Sequence, residues 1–386
     1  MKVYLDNNAT TSLDPRVLAA MLPFLGERFG NPSSFHTFGS SLMEAVEEAR
    51  GAVAKLIGAA PGSGETPSVV FTSGGTESDN WALRGAPALS GRRTIVTTQV
   101  EHPAVLETAK QLEREGCTLR LAGVTGEGEL DLDSLEKAMD DTVAVVSVMA
   151  ANNETGVLMP VRECADLAHR YGALFHTDAV QAAGKTALDA SGDGIDLMSI
   201  SAHKIHGPKG IGALYARPGI RLPAFIHGGH HEGGLRAGTY NVPGIVGLGE
   251  AAKLAAEELH AGNAGIAALR ARLEEGILSS CPGATIAGAR APRLPNTTTA
   301  LFSGVESEAI LTLLDMRGIS VSSGSACSTG SKDPSHVLKA MGVDRNLANS
   351  AVRFSLSRLN TASEMEYTLE VLADVITRLR RISPYA

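Results

Sequence analysis

Cysteine is scarce in this chain. Only four cysteines occur among 386 residues, and no two of them form a Cys-x-x-Cys pair. This usage argues against a disulfide framework and against a zinc knuckle. Cys117, Cys164 and Cys281 have apolar or structural neighbours, so we expect them to be small buried hydrophobic residues.

An excess of positive charge and long apolar runs are also missing. The formal net charge of −8 argues against a broad nucleic-acid-binding surface. The most apolar stretch, residues 143–151, is too short to span a membrane and is predicted as a buried strand. Because regular structure is predicted from Met1 onwards, we expect no signal or transit peptide and a cytoplasmic location.

A metal site is not predicted either. His227, His230 and His231 are the nearest approach to a ligand cluster, but glycines separate them and the neighbouring carboxylate of Glu232 is unremarkable. We therefore predict that the protein holds no metal ion.

What is present is an alternation of strands and helices. Seven short Val/Ile/Leu-rich segments predict a mostly parallel sheet that is buried on both faces. Between them, apolar residues spaced three or four apart from Leu42 to Leu56 predict a helix that begins near Ser40 or Ser41. The result is a doubly wound α/β layout. The predicted strands are residues 69–72, 94–98, 119–124, 143–149, 174–178, 197–201 and 212–216.

The pattern changes after about residue 257. A long Ala/Leu/Glu-rich helical region, residues 251–278, leads into shorter mixed elements. We therefore predict a large α/β domain and a smaller α+β domain that carries a loop at about residues 322–333. The predicted boundaries are residues 15–256 for the large domain, and residues 1–14 and 257–386 for the small one.

Two neighbouring strand ends carry complementary chemistry. Lys204 follows one predicted strand, and a fixed, partly desolvated lysine there suits an amine that forms an imine with an aldehyde cofactor. Alone, the segment Ser201-Ala202-His203-Lys204 is more often a surface turn. Asp178 ends the preceding strand and can keep a pyridine nitrogen protonated, while Gln181 can donate to the phenolic oxygen of the same ring.

A phosphate site is predicted at Gly74-Gly75-Thr76, which follows a strand and opens a helix. Glycines let backbone amides approach an anion, and a helix N-terminus favours negative charge. The alternative is a tight turn before a capped helix. Ser201 and His203 are candidates for further donors.

Two more strand ends supply polar side chains. His102 is placed to stack on a pyridine ring and exchange protons, although a histidine before a proline is more often a loop residue. Asn153 is placed to bind a substrate carboxylate or the ring oxygen. Because five strand ends now carry compatible groups, coincidence explains them poorly.

Cys327 differs from the other cysteines. It lies in residues 322–331, a run too small and polar to pack, which predicts a mobile loop with an exposed thiol. The alternative is an incidental loop cysteine.

Six motifs carry a family resemblance: residues 4–11, 30–34, 73–78 and 152–156, the pair His203-Lys204, and the loop that ends at Cys327. Together they closely resemble the NifS/IscS-type cysteine desulfurases, which are fold-type I pyridoxal-phosphate enzymes, in the subgroup with a long cysteine loop. The resemblance runs from Tyr4 to Pro384.

The resemblance implies roles toward the cofactor, pyridoxal 5'-phosphate. Lys204 is the implied Schiff-base lysine, with Asp178 on the ring nitrogen, Gln181 on the ring oxygen and His102 stacked as an acid/base. The implied phosphate ligands are Thr76, Ser201 and His203 of one subunit and Thr239 from a second subunit. A shared phosphate site would make a homodimer obligatory for activity.

Toward the substrate, L-cysteine, the resemblance implies that Arg353 and Asn153 hold the carboxylate, with Asn8 nearby. Cys327 takes the sulfur as a persulfide and alanine leaves. An iron-sulfur scaffold protein is the implied sulfur acceptor. The chain ends at Ala386 without the tail of housekeeping relatives, which favours the nitrogen-fixation type.

The chain departs from the family pattern at Gly233, where many relatives have arginine, and at Ile205-His206, where housekeeping relatives often have tyrosine. Three other readings share part of the motif set. A selenocysteine lyase or a sulfinate-directed relative would use the same Lys204 and Asp178. An aminotransferase would bind 2-oxo acids and be indifferent to Cys327, and a sulfur- or metal-binding assembly protein would lack the cofactor.

Overall fold

The structure is a computed structural model that describes residues 1–59, 67–259, 261–323 and 334–383. Thirteen strands lie in this part of the chain: β1 Val3–Tyr4, β2 Val69–Thr72, β3 Thr94–Thr98, β4 Thr118–Ala122, β5 Val143–Ser147, β6 Leu174–Asp178, β7 Leu197–Ser201, β8 Gly212–Ala216, β9 Ala284–Ile286, β10 Thr297–Phe302, β11 Ile319–Ser320, β12 Ser322–Ser323 and β13 Ala351–Ser355.

Twelve helices lie in the same residues: α1 Pro15–Leu25, α2 Thr37–Leu56, α3 Gly75–Ser90, α4 Pro103–Arg114, α5 Leu132–Lys137, α6 Val161–Arg170, α7 Val242–Glu258, α8 Ala261–Ser280, α9 Ser307–Asp315, α10 His336–Ala340, α11 Arg345–Ala348 and α12 Ala362–Ile382. Short 3-10 turns occupy Ala202–Lys204 and His231–Gly234. None of the helices in the described ranges is long and apolar enough to cross a membrane.

The central sheet has seven strands in the order β2-β8-β7-β6-β5-β3-β4. β3 to β7 run parallel to their neighbours among themselves, whereas β8 is antiparallel to both β2 and β7. β3, β5 and β7 are buried along their whole length, as Val/Ile-rich strands covered by helices on both faces should be. The predicted α/β class with a mostly parallel seven-stranded sheet is confirmed.

Several predicted boundaries were wrong. α2 begins at Thr37 with His36 as its N-cap, so Ser40 and Ser41 lie inside the helix. In the extra first turn, the ring centroid of Phe38 lies 5.8 Å from that of Phe29. A Ser or Thr N-cap is a sequence signal for the start of a helix, but this ring contact is not. Residues 123–124 and 148–149 lie beyond the ends of β4 and β5.

The predicted helical region at residues 251–278 is two helices, because α7 ends at Glu258 and α8 begins at Ala261. α7 also begins earlier than predicted. Its N-cap is Asn241, whose side chain accepts from the backbone N–H of Gly244 at 3.2 Å.

The N-terminal segment packs against the last third of the chain. β1 pairs in parallel with β11, and Leu5 joins a core formed with α8, α12 and the sheet β12-β13-β10-β9. Other side chains after residue 257, such as Leu294 and Leu338, belong instead to the core of the central sheet. The domain boundaries at residues 14, 256 and 257 therefore stay a prediction.

Candidate active site

A cavity of about 180 Å³, here called the central cavity, lies where the carboxyl ends of β6 and β7 meet the N-terminus of α3. In parallel sheets this edge is where ligands bind. The residues that line it are Gly75, Thr76, Asp79, His102, Met149, Ala151, Asn153, Asp178, Val180, Gln181, Ser201, His203 and Lys204. The structure therefore brings together nine of the predicted site residues, from Gly75 to Lys204.

Lys204 ends the 3-10 turn that follows β7. Its Nζ donates to the carbonyl oxygens of Asn8 at 2.5 Å and Ala9 at 2.8 Å. The amine thus lies on the cavity wall, fixed by the N-terminal segment rather than solvated in a surface turn.

Asp178 ends β6, and its Oδ1 accepts from the backbone N–H of Val180 at 2.9 Å. Burial raises the pKa of this carboxyl, and nearby His102 and Lys204 oppose the rise. A buried carboxylate in this position fits a protonated ring nitrogen, because a cation facing it offsets the cost of burying its charge.

Asp79 is a cavity residue that the sequence analysis did not identify. It is buried on α3, and burial together with the charge of Asp178 holds its pKa well above the ordinary value. Ligand atoms of Asp79, His102 and Asp178 lie within 4.8 Å of one another, which also satisfies the spacing of a metal site. The absence of a metal ion therefore stays a prediction.

His102 is the N-cap of α4, and its Nδ1 accepts from the backbone N–H of Ala104 at 3.1 Å. Burial lowers the pKa of this imidazole, so the ring is neutral at pH 7 and its proton resides on Nε2. A neutral ring with a fixed tautomer suits stacking and proton exchange.

The predicted phosphate site corresponds to the first turn of α3. The first backbone N–H groups of a helix have no partner within it and favour an anion. A Cβ at Gly75 would lie 2.8 Å from Cγ2 of Val180, so any larger residue here would require Val180 to move. Burial and the charge of Lys204 lower the pKa of His203 to about 4, which leaves a neutral ring beside Ser201.

The predicted substrate-binding residues meet beside the cavity. The backbone carbonyl of Asn153 accepts from Arg353 Nη1 at 3.0 Å and from Asn8 Nδ2 at 3.1 Å. Arg353 also forms an ion pair with Asp6 at 2.9 Å, and its buried Nε has no hydrogen-bond partner in the described part of the chain. The role of Asp6 was not predicted. The unpartnered N–H of the buried Arg353 guanidinium is suited to bind a substrate carboxylate.

Thr239 is exposed and does not line the central cavity. Its loop is fixed by Arg236, which forms an ion pair with Glu77 of α3 at 2.9 Å. Cys327, with residues 324–333, lies outside the described residues.

Both flanks of residues 324–333 are attached close to the site. On the N-terminal side, Ser322 lies opposite Arg353 in the β12–β13 pair. On the C-terminal side, Ser335 Oγ donates to Glu154 at 2.5 Å. Burial raises the pKa of Glu154 to about 7, so its carboxyl is partly protonated near neutral pH. The sequence analysis found neither Ser335 nor the anchoring role of Glu154.

Comparison with known proteins is an independent source of evidence about the family of this chain. The model of the aminotransferase class-V family matches residues 3–368. The cysteine desulfurase of Cereibacter sphaeroides is 52% identical over 386 residues, covering 100% of this chain and 98% of the relative. Cysteine desulfurase NifS of Azotobacter vinelandii is 48% identical over 384 residues, covering 99% of this chain and 94% of that protein.

Solved structures agree with these relatives. A NifS-like protein has a TM-score of 0.90 at 40% identity, covering 98% of this chain and 100% of its own. A NifS-like protein from Rickettsia africae has a TM-score of 0.89 at 31% identity, with 98% of this chain and 100% of its own covered. The predicted resemblance and the fold-type I architecture are confirmed.

Proposed function

Because the chain belongs to the aminotransferase class-V family and is a pyridoxal-phosphate-dependent cysteine desulfurase, we propose that Lys204, Asp178 and Cys327 carry its reaction. L-Cysteine becomes L-alanine as its sulfur passes to the Cys327 thiol. The substrate C–S bond breaks, an S–S bond forms, and the β-carbon gains a proton. The β-carbon is reduced while the transferred sulfur is oxidised to the sulfane level, so no external oxidant is consumed.

The observation that carries this proposal is the convergence of Lys204, Asp178 and the first turn of α3 on one cavity. When bound, pyridoxal phosphate supplies an electron sink for negative charge at the substrate Cα. Gly75, Thr76, Ser201 and His203 hold the phosphate in this proposal. With the cofactor bound, Asp178 would keep the ring nitrogen protonated, Gln181 would donate to the ring oxygen and His102 would lie against the ring.

Lys204 moves the proton of the Cα atom. Its Nζ is already placed on the cavity wall by the carbonyls of Asn8 and Ala9. A neutral lysine amine is a general base, and its position beside the ring makes the transfer local. Arg353, Asn153 and Asn8 orient the substrate through its carboxylate, toward which the unpartnered Arg353 Nε supplies a charge-assisted hydrogen bond.

The short separation in sequence between β12 and Cys327 supports Cys327 as the sulfur acceptor. Cys327 follows Ser323, the last residue of β12, by only four positions. Fully extended residues span at most about 3.6 Å each, so four positions allow a reach of at most about 14 Å from Ser323. Because β12 pairs with the strand that carries Arg353, this radius includes the proposed substrate carboxylate site.

The acceptor assignment is tested by incubating the holoenzyme with L-cysteine without reductant and locating added sulfur by peptide mass spectrometry. We expect sulfur on Cys327, and loss of persulfide formation and of most alanine release in Cys327→Ala. Cys164 is a suitable internal control, because it is buried and burial raises its pKa far above the ordinary value for a thiol. Sulfur on Cys117, Cys164 or Cys281 with Cys327 bare would sink the assignment.

The same proposal includes a homodimer. Thr239 is exposed and does not line the cavity of its own chain, as expected of a ligand for a partner's phosphate site. Near the N-terminus, large apolar side chains are exposed in the isolated chain, and a second copy would cover them. These are Leu22, Leu25, Phe29, Phe35 and Phe38.

We further propose that the persulfide sulfur goes to a scaffold for iron-sulfur cluster assembly, in the cytoplasm and in support of nitrogen fixation. The support is the similarity to NifS of Azotobacter vinelandii over nearly the full length of both chains. The test compares the rate of cluster formation on a nitrogen-fixation scaffold and on a housekeeping scaffold, with L-cysteine and ferrous iron supplied to both. Equal rates, or a faster rate on the housekeeping scaffold, would contradict the nitrogen-fixation assignment.

A further inference from the structure

Lys185 is a lysine close to the site that the reaction does not use. Its Nζ donates to Oε1 of Gln181 at 2.9 Å. It does not line the central cavity but a second cavity of about 60 Å³, which lies on the other side of Lys204. Lys185 therefore contacts the site through Gln181 and not directly.

The backbone holds Gln181 and Lys185 together. After β6 the chain makes helical turns, in which the N–H groups of Ala183 and Thr186 donate to carbonyls four residues earlier. Residues four apart in such a turn lie on the same side. From α8, Asn263 Nδ2 donates to the carbonyl oxygen of Lys185 at 2.9 Å, which fixes the second residue of the pair.

The contact determines which end of the Gln181 amide faces the central cavity. A protonated lysine amine has donors only, so the amide atom beside it is the oxygen. Burial and the charge of Lys204 lower the pKa of Lys185 to about 7, so this restriction is strongest below pH 7. The opposite atom, Nε2, donates one hydrogen to the carbonyl of Asn8 at 2.9 Å, the same carbonyl that Lys204 contacts. An amide nitrogen carries two hydrogens, so one N–H remains for the cavity that Gln181 lines.

We propose that Lys185 is a positioning residue that holds the Gln181 amide with its nitrogen toward the cofactor ring oxygen. Without Lys185 only the hydrogen bond to the Asn8 carbonyl orients the amide. Half a turn then costs that one bond instead of two, and it presents the amide oxygen to the ring oxygen, which would repel it. The inference rests on the proposed role of Gln181 as donor to that oxygen.

The consequence is measurable in the resting holoenzyme without substrate. The absorbance of bound pyridoxal phosphate changes with pH as the nitrogen shared with Lys204 loses its proton. Loss of a donor to the ring oxygen leaves more negative charge there, which holds that proton more tightly. We therefore expect the midpoint of the absorbance titration to move upward in Lys185→Met, by about 0.5–1 pH unit, the size of one hydrogen bond.

Removal of the lysine charge would move the midpoint in the same direction, so the test is a double-mutant cycle with Gln181→Leu. If Lys185 acts through the amide, Lys185→Met shifts the midpoint in the wild-type background but not in Gln181→Leu. Lys253→Met, which removes an exposed lysine of α7, is the matched control and should leave the midpoint unchanged.

Each outcome decides the inference. A shift that persists undiminished in the Gln181→Leu background assigns the effect to charge and overturns it. A Lys185→Met protein with lowered thermal stability but an unmoved midpoint shows a structural role only, and overturns it as well. If Gln181→Leu alone does not move the titration midpoint, Gln181 is not the donor to the ring oxygen. This result contradicts the role of Gln181 in the proposed function, and the inference about Lys185 fails with it.

Discussion

Buried histidines near the central cavity are kept neutral by their surroundings. His176 in β6 is fully buried, with Nδ1 2.8 Å from Ser147 Oγ and Nε2 3.0 Å from Ser199 Oγ. Hydroxyl groups both donate and accept, so the pair satisfies either neutral tautomer but offers no countercharge to an imidazolium. Oδ1 of Asp79 lies 3.6 Å from Nε2, but burial holds the pKa of this carboxyl well above its ordinary value, which weakens it as a countercharge in acid. Burial accordingly lowers the pKa of His176 to about 3.

This environment predicts a specific loss of stability in acid. Because the folded-state pKa lies below the unfolded value of about 6.5, the contribution of His176 is fully present above pH 6.5 and is lost as pH falls toward 3. Between about pH 7 and pH 5 the wild type should lose about 2 kcal/mol that His176→Gln does not lose. Urea unfolding of both holoproteins at these two pH values measures the difference.

Buried groups that do not contact His176 titrate alike in both proteins and cancel in the comparison. Glu101 and Glu154 act with the opposite sign, because burial raises their pKa to about 8 and about 7. Equal losses of unfolding free energy in wild type and His176→Gln would show that His176 takes up no proton on unfolding.

At the scale of elements, one buried ion pair joins α2 to the 3-10 turn at His231–Gly234. Both Oε atoms of Glu232 accept from Arg50, at 2.7 and 2.9 Å, and Oε2 also accepts from the backbone N–H of Phe71 in β2. The sequence analysis considered this carboxylate only as a metal ligand and did not identify its ion pair. The signal was weak, because its partners are 182 and 161 positions away.

Arg50 allows a matched pair of variants, since it also contacts Glu47, whose side chain is 56% exposed. Glu232→Ala leaves the buried guanidinium without its main countercharge and should lower the free energy of unfolding by about 3–5 kcal/mol. Glu47→Ala removes an exposed partner and should cost at most about 1 kcal/mol. Urea denaturation compares the two, and similar small losses would mean that the buried pair does not fasten α2 to the turn.

Elements that depend on local pattern were predictable. β2, β3, β6, β7 and β8 match their predicted bounds because each is a short segment that contains Val, Ile, Leu or aromatic side chains. The start of α2 was missed because His36 caps it without a side-chain hydrogen bond. The strand-end site residues were found for the same reason as the strands, since parallel strands bring their carboxyl ends to one edge.

Contacts across the whole molecule were not predictable from pattern. Asp6 and Arg353 are 347 positions apart, yet their ion pair holds the guanidinium beside Asn153. Arg353 was identified only through family resemblance, and Asp6 was missed. Asp79 was also missed, because nothing in its local sequence marks which side of α3 faces the cavity.

The whole molecule in the proposed homodimer includes a second chain, which gives the last prediction. If Thr239 serves the partner's phosphate, Thr239→Val should weaken cofactor binding by about 10–100-fold, the loss of one hydrogen bond to a charged group. In a heterodimer of Lys204→Ala and Thr239→Val subunits, one site then combines both changes. The other site has Lys204 from one chain and Thr239 from its partner, and is intact.

Differently tagged subunits allow this heterodimer to be purified and its cofactor affinity and alanine release to be measured. We expect one tight cofactor site per dimer and about half the wild-type activity, although both parent homodimers are impaired. If Thr239 acts within its own chain, the subunit with Lys204 also has the Thr239→Val defect, so no tight site forms. A heterodimer with no higher cofactor affinity or activity than the Thr239→Val parent would therefore refute the shared phosphate site. A wild-type protein that sediments as an active monomer would refute the dimer itself.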